Sequence, residues 1–521
     1  KWWSILMKKN KMSFLGLCIF TWLAALTSCE KPEPPGPEPE FVRYSKDIVL
    51  QSKVLNASVK YSVYLPDDYM SDTTSRYGVV YLLHGLGDNN NSWNDVYLRV
   101  SSLINEMEDA GNISKMIYVM PQGFRTYYVN RHTGTYDYMD MFVQELVPHI
   151  DKTLRTVADR DHRAVVGYSM GGYGAMILPS KHPELFSVSV PLSMSFRTDR
   201  QYMTEPSGGW DGQWGYIFGA EGMIGEARLT PYYKEHSPFY FFNTETAASF
   251  DNVKYFLDCG DDEEQLLVAN DTLHVVMRSL GIDHEFRVRN GAHTSDYWRK
   301  AMYEVLPYIE NCFNGLKYKE EETIRVETSE YEYQDILQES CGGRIYLPTD
   351  YDESSGYTAL YYVYSDIGDD FPAKSITQIK KAADVKGYVL VTCNSDSLAA
   401  YGMNLRDVIG AAEKEFSFDG SRKGVGILGG GRLLFNASTR EDSGFSSVLL
   451  VEAAMEDLPF DPSDEVVYHF CVSDQSRYYV AADLLYRYCK EHDIKYEYRV
   501  YNGVESANSV LYAISLLINN I

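Results

Sequence analysis

The chain has 521 residues, 45% of them apolar and 23% charged, which is globular composition and excludes a disordered, collagenous or coiled-coil polypeptide. Its 73 acidic residues outnumber 48 basic ones, for a net charge of −25, so phosphate backbones repel it and nucleic acid is excluded as a partner.

Residues 1–28 are predicted to be a lipoprotein signal peptide. Lys8, Lys9 and Lys11 form a basic region, and the apolar stretch Ser13–Leu26 is too short to span a bilayer. The stretch ends in Leu26-Thr-Ser-Cys29, which resembles a bacterial lipobox with Cys29 as the lipidated residue. The expected location is therefore the bacterial outer membrane, on its surface or periplasmic face, with the lipid as the sole membrane contact. Residues 29–40 are rich in Pro and Glu and read as an extended tether. Six further cysteines follow, with no CxxC pair, and they read mainly as small buried hydrophobes.

From residue 41 to 315, short apolar runs alternate with amphipathic ones. Gly78–Leu83, Met116–Met120, Ala164–Val166 and Val253–Leu257 suit buried parallel strands, and Tyr138–Ile150 suits a helix. The expected fold class is α/β, a mostly parallel sheet with helices on both faces. Residues 316–330 are polar and charged and read as a linker. Residues 331–521 repeat the first unit: Tyr64-Leu-Pro-Asp-Asp-Tyr69 matches Tyr346-Leu-Pro-Thr-Asp-Tyr351, and Arg163–Gly172 matches Arg422–Gly431. Phe256–Ile309 aligns without a gap to Tyr468–Ile521. Two tandem copies of one fold are expected.

Gly167-Tyr-Ser169-Met-Gly171 fits G-x-S-x-G between an apolar strand and a small-residue helix start. Such a turn holds a nucleophilic Ser in strained geometry, with glycines where any Cβ clashes. His293, in a loop after the last strand of the unit, is the candidate base. Chain order Ser, acid, His places the acid in Asp258-Cys-Gly260-Asp-Asp262-Glu263, where Glu263 and Asp262 are both candidates. The gapless alignment sets Glu263 against Gln475 and Asp262 against Asp474, which favours Glu263, because the second copy also loses the other reactive positions. There Leu428 stands for Ser169, Glu505 for His293, and Ser365-Asp366 for His84-Gly85. The second copy is expected to be degenerate and unreactive. No zinc, P-loop or dinucleotide motif appears, so no metal or cofactor is expected.

Residues 41–313 resemble the esterase D-like branch of the α/β-hydrolases, which includes feruloyl and acetylxylan esterases. The resemblance rests on Leu83-His-Gly-Leu-Gly87, Gly167–Gly174, Asp258–Asp262 and Gly291-Ala-His293 with Tyr297-Trp298. It implies a cofactor-free serine esterase working through an acyl-enzyme. It further implies an oxyanion hole from Leu86 N–H and Met170 N–H. One departure is that Glu263 stands where the family usually has Asp. The implied substrate is esterified polysaccharide or oligosaccharide, carrying acetyl or feruloyl groups of the plant cell wall. Trp210, Trp214 and His84 are expected to contribute to substrate binding, with packing in the core as the equal alternative for the two tryptophans. The alternatives are a surface lipoprotein that only binds glycan, and a lipase or peptidase on the same fold.

Overall fold

The computed structural model describes residues 41–96, 98–316, 328–337, 343–439, 443–453 and 462–521. The expected signal segment, Cys29 and the tether lie outside these residues, as does most of the expected linker. Val42–Ile521 forms one unit by contacts, built from two lobes.

The first lobe supplies strands β1 (Tyr44–Ser52), β2 (Ala57–Tyr64), β3 (Val79–Leu83), β4 (Ile117–Pro121), β5 (Arg163–Tyr168), β6 (Val188–Leu192), β7 (Lys254–Gly260) and β8 (His284–Arg289). Their order across the sheet is β1-β2-β4-β3-β5-β6-β7-β8. The β1–β2 and β2–β4 pairs are antiparallel, and every pair from β4 to β8 is parallel. All residues of β3, β4, β5 and β6 are buried, as the continuous apolar runs require of strands covered on both faces. This is the mostly parallel sheet the sequence predicts, and it places the C-terminal ends of β3, β5, β6, β7 and β8 along one edge.

The second lobe supplies β9 (Gln334–Asp335), β10 (Arg344–Tyr346), β11 (Tyr357–Tyr364), β12 (Val389–Asn394), β13 (Phe418–Ile427), β14 (Phe445–Val451), β15 (Val467–Ser473) and β16 (Tyr496–Tyr501). Their order, β9-β10-β12-β11-β13-β14-β15-β16, repeats the first lobe strand for strand. The repeat read from the sequence is therefore a repeat of topology.

The lobes share one sheet of sixteen strands among the described residues. The junction is an antiparallel pairing of β8 with β16, centred on Val288 opposite Val500. These two valines occupy equivalent positions of the two copies, so a pseudo-two-fold axis passes between them. Each lobe thereby covers the other's last strand, and neither β8 nor β16 is left as an unpaired edge.

The structure corrects the gapless alignment at one place. Tyr255 pairs with His284 in the first lobe, and Tyr468 pairs with Tyr496 in the second. The offset between copies is thus 213 along β7 and 212 along β8. Asp474 is the counterpart of Asp261, not of Asp262, and Ser476 is the counterpart of Glu263.

Of the cysteines in the described residues, Cys259, Cys471 and Cys489 are buried free thiols, Cys393 is buried, and Cys312 is partly buried and free. No described helix is long and apolar enough to cross a membrane.

Candidate active site

Strand β5 runs into the helix Met170–Lys181 through Ser169, whose backbone takes φ 57° and ψ −119°. A non-glycine residue in this region carries about 1–3 kcal/mol of strain. The neighbouring glycines are fixed by close approach. A Cβ on Gly171 would stand 2.2 Å from the carbonyl oxygen of Leu83, and one on Gly167 2.1 Å from that of Gly171. Ser169 N–H donates to Leu192 O and Ser169 O accepts from Ser195 N–H, which anchors the turn to the end of β6. The Ser169 side chain remains partly exposed.

Glu263 follows the end of β7, and His293 lies in the loop after β8. His293 Nδ1 meets Glu263 Oε2 at 2.7 Å, with the Glu263 side chain fully buried and the imidazole 37% exposed. Glu263 Oε1 also accepts from Gly260 N–H at 3.0 Å and from Ser193 Oγ at 2.5 Å. Trp298 Nε1 in turn donates to Ser193 Oγ at 2.8 Å. The carboxylate is thus held by three donors in a dry site, and the imidazole is left with Nε2 free to take a proton. Asp262 is exposed and has no contact with the imidazole. Of the two candidate acids, the structure brings Glu263 to His293.

Aromatic packing carries the histidine loop to the serine turn. Tyr168, the residue before Ser169, stacks on Trp298 at 4.2 Å, and Trp298 meets the His293 ring edge-on at 4.9 Å. Ser193, Trp298 and Tyr168 were not assigned roles from the sequence, although Trp298 stood among the segments carrying the resemblance. Ser193, like Ser169, has a positive φ, of 46°, but its sequence context carries no signal for it.

Leu86, in the loop after β3, and Met170, directly after Ser169, are the two residues whose N–H groups are expected to meet an oxyanion. Met170 is the first residue of its helix, so its N–H has no acceptor within that helix. Leu86 N–H has no acceptor among the described residues. The expected substrate-binding role of His84 is corrected. It is fully buried, its Nδ1 is 2.8 Å from Gly85 O, and its Nε2 accepts from Gly123 N–H at 2.8 Å and lies 2.8 Å from Gln122 Oε1. Burial holds its pKa below the ordinary value, so the ring stays neutral and pins the β3 loop to the β4 loop.

Trp210 and Trp214 are also corrected: both are fully buried and cannot stack on substrate. Trp214 packs against Tyr127 at 4.4 Å and Tyr202 at 5.1 Å, and Trp210 Nε1 donates to Ala220 O at 3.1 Å. They form the core of the insertion between β6 and β7. Tyr216, from the same insertion, lines a cavity instead. Tyr216 joins Gly87, Gln122, Phe124, Arg131 and Tyr136 around a cavity of about 480 Å³. Gly87 directly follows Leu86, so the cavity is walled on one side by the loop after β3, while Ser169 and His293 are not among its lining residues. The Arg131 guanidinium carbon stands over the Tyr216 ring, 3.4 Å from its centre. Among the described residues no group of three or more His, Cys, Asp or Glu is placed to hold a metal ion.

The second lobe keeps the backbone of this site and loses its chemistry. Leu428 takes φ 46° and ψ −126°, the conformation of Ser169. Glu452 stands at the position of Ser193 and shares its positive φ. Its carboxylate accepts from Ser473 N–H at 2.7 Å, the counterpart of Gly260 N–H. Ser476, the counterpart of Glu263, hydrogen-bonds Glu452. Carboxylate and hydroxyl have therefore exchanged chain positions around the same place. Glu505, at the position of His293, pairs instead with Arg477 at 2.9 Å.

Residues 52–309 match the model of a family described as putative esterases. The chain is 30% identical over 168 residues to the endo-1,4-beta-xylanase/feruloyl esterase of Xylanibacter ruminicola, an alignment covering 30% of this chain and 23% of that protein. It is 28% identical over 253 residues to an esterase of Mycobacterium tuberculosis, covering 44% of this chain and 52% of that protein. The chain thus spans between about a quarter and about half the length of these curated relatives. A solved ferulic acid esterase is 29% identical, with a TM-score of 0.44, and the match covers 52% of this chain and 98% of that one.

Proposed function

We propose that the first lobe, whose residues 52–309 match the putative esterase family model, is a serine carboxylic-ester hydrolase acting on acylated plant cell-wall carbohydrate. The observation that carries this reading is the buried Glu263 bound to His293 Nδ1, with the histidine ring linked through Trp298 and Tyr168 to the turn of the strained Ser169. Ser169 Oγ attacks the ester carbonyl while His293 Nε2 takes its proton. Leu86 N–H and Met170 N–H receive the oxyanion, and the imidazolium returns the proton to the leaving sugar hydroxyl. Water then repeats the sequence on the acyl-enzyme and releases the acid. Glu263 fixes the tautomer and stabilises the imidazolium without itself taking the proton.

Phe124, Tyr136 and Tyr216 around the cavity favour an aromatic acyl group over acetyl. Methyl ferulate is expected to be hydrolysed with a higher kcat/KM than methyl acetate, and feruloylated arabinoxylan with release of ferulate. Equal rates on the two methyl esters would overturn the aromatic preference. Faster turnover of a long-chain ester or a peptide than of either would overturn the carbohydrate-ester reading. No turnover on the whole panel would favour a protein that only binds glycan.

The second lobe is proposed to be unreactive, since a hydrocarbon and a carboxylate stand where the first lobe has its nucleophile and base. Attachment to the outer membrane through lipidated Cys29 is proposed from the Leu26-Thr-Ser-Cys29 box. Mass spectrometry of the membrane-extracted protein is expected to find diacylglycerol on Cys29, and an unmodified Cys29 in that fraction would refute the anchor.

A further inference from the structure

The seam between the lobes is built from reciprocal ion pairs at equivalent positions. Arg499 of β16 reaches across to Asp261, and Arg287 of β8 reaches across to Asp474 at 3.5 Å. Tyr498 N–H donates to Asp261 Oδ2 at 3.3 Å, and Phe286 N–H to Asp474 Oδ2 at 3.2 Å. Arg499 also binds its neighbour Glu497 at 2.9 Å, as Arg287 binds Glu285 at 2.9 Å. Asp261 and Arg499 are 5% and 9% exposed, Asp474 and Arg287 2% and 1%.

The two halves of this arrangement differ in what hangs on them. Asp261 lies two residues before Glu263, and its Oδ1 accepts from Gly291 N–H at 3.1 Å, two residues before His293. One carboxylate therefore ties the acid turn to the histidine loop. Two further bonds close the same frame, Asp262 N–H to Gly291 O at 3.1 Å and Asp261 N–H to Arg289 O at 3.0 Å. The counterpart Asp474 accepts from Gly503 N–H at 3.0 Å, in loops that carry Ser476 and Glu505 and no catalytic pair.

We infer that the second lobe completes the active site of the first, with Arg499 as a positioning residue that holds the Glu263 and His293 loops in register through Asp261. The inference rests on the serine-esterase reading above. Burial alone pushes the Asp261 carboxyl up, and Arg499 opposes that push. Without the guanidinium, a buried carboxylate is left with backbone donors alone. It then protonates or swings toward water, and the two loops lose their common anchor. Degeneracy of the second lobe fits this role, because the role needs β16 and its arginine and no nucleophile.

Pseudo-symmetry supplies the control. In the full chain, Arg499→Met is expected to lower kcat on p-nitrophenyl acetate by about ten- to a hundredfold with KM changed less than about threefold, the scale of a small misplacement of catalytic groups. Arg287→Met removes the equivalent, more deeply buried arginine from the same seam and is expected to leave kcat within about threefold. Arg499→Lys, which restores the charge without the planar fork, is expected to fall between. Equal losses in the two methionine variants, or no loss in Arg499→Met, would overturn the inference. Should Arg499→Met lose its native circular dichroism, the pair Arg499→Lys and Arg287→Lys decides in the same way, equal losses or no loss again overturning the inference. Ser169→Ala is run alongside. Full activity in that variant refutes the serine reading, whereas an inactive Ser169→Ala with equal arginine variants refutes the coupling alone.

Discussion

Ser169→Ala is expected to reduce ester hydrolysis by roughly four to six orders of magnitude while leaving the unfolding temperature unchanged. The loss follows from the role: no other hydroxyl stands at the turn where an ester carbonyl would meet Leu86 N–H and Met170 N–H. The unchanged stability has a ground inside the same molecule. Leu428 occupies the equivalent turn at φ 46° and ψ −126°, so this conformation accepts an apolar side chain without a hydroxyl. His293→Ala should be nearly as inactive, and the double variant no worse than either single one, because the groups of a triad act as a unit. Rates on p-nitrophenyl acetate and labelling by a fluorophosphonate probe measure both. A Ser169→Ala protein that labels or turns over like the wild type sinks the assignment.

What the sequence displayed most clearly was whatever backbone geometry dictates locally. The glycines around Ser169 stand at fixed spacing because Leu83 O and Gly171 O leave no room for a Cβ, so the turn could be read in both copies. The strand runs were legible because full burial on both faces demands unbroken apolar stretches. Features that depend on distant partners were not. Trp210 and Trp214 sit in a glycine-rich stretch that reads alike whether the rings face solvent or core. Tyr127 and Tyr202, which enclose Trp214, come from other segments of the chain. His84 looked like a site residue because it ends a strand, yet Gln122 and Gly123 from the neighbouring β4 loop enclose its ring. The pairing of β8 with β16 has no local signature, since any apolar strand can serve as an edge. The one-residue difference in offset lies between β7 and β8 and was hidden because β7 and its turn offer identities at either offset: Cys259 with Cys471 and Asp262 with Asp474 at 212, Tyr255 with Tyr468 and Asp261 with Asp474 at 213. That difference set Asp262 against Asp474 and hid the equivalence of Asp261 with Asp474, on which the seam is built.

Glu263→Gln tests which acid serves the imidazole. The Glu263 carboxylate offers Oε1 to Gly260 N–H and Ser193 Oγ–H, and Oε2 to His293 Nδ1–H. All three partners are donors, which suits an ionised carboxylate and no neutral amide. In the Glu263→Gln variant the amide oxygen would keep the two donors on its inner side, and the amide NH₂ would face His293 Nδ1. That geometry turns Nδ1 into an acceptor and puts the ring proton on Nε2, the atom that must receive the Ser169 proton. The base is then blocked with the fold and the substrate cavity intact. The expected result is a fall in kcat of about 10⁴, the scale of the comparable acid-to-amide change in a serine protease, with KM nearly unchanged. Asp262→Asn, at an exposed side chain without a role in the pair, is expected to keep kcat within about twofold, as surface substitutions away from a site do. Glu263→Asp should fall between, because its shorter side chain keeps the charge and loses reach to Nδ1. If Asp262→Asn falls as far as Glu263→Gln, the acid has been misplaced. If Glu263→Gln keeps its kcat, His293 needs no carboxylate and the triad reading fails. The second lobe shows why the carboxyl group alone is not enough: Glu452 keeps one at the same place, and without a histidine at position 505 it has no base to orient.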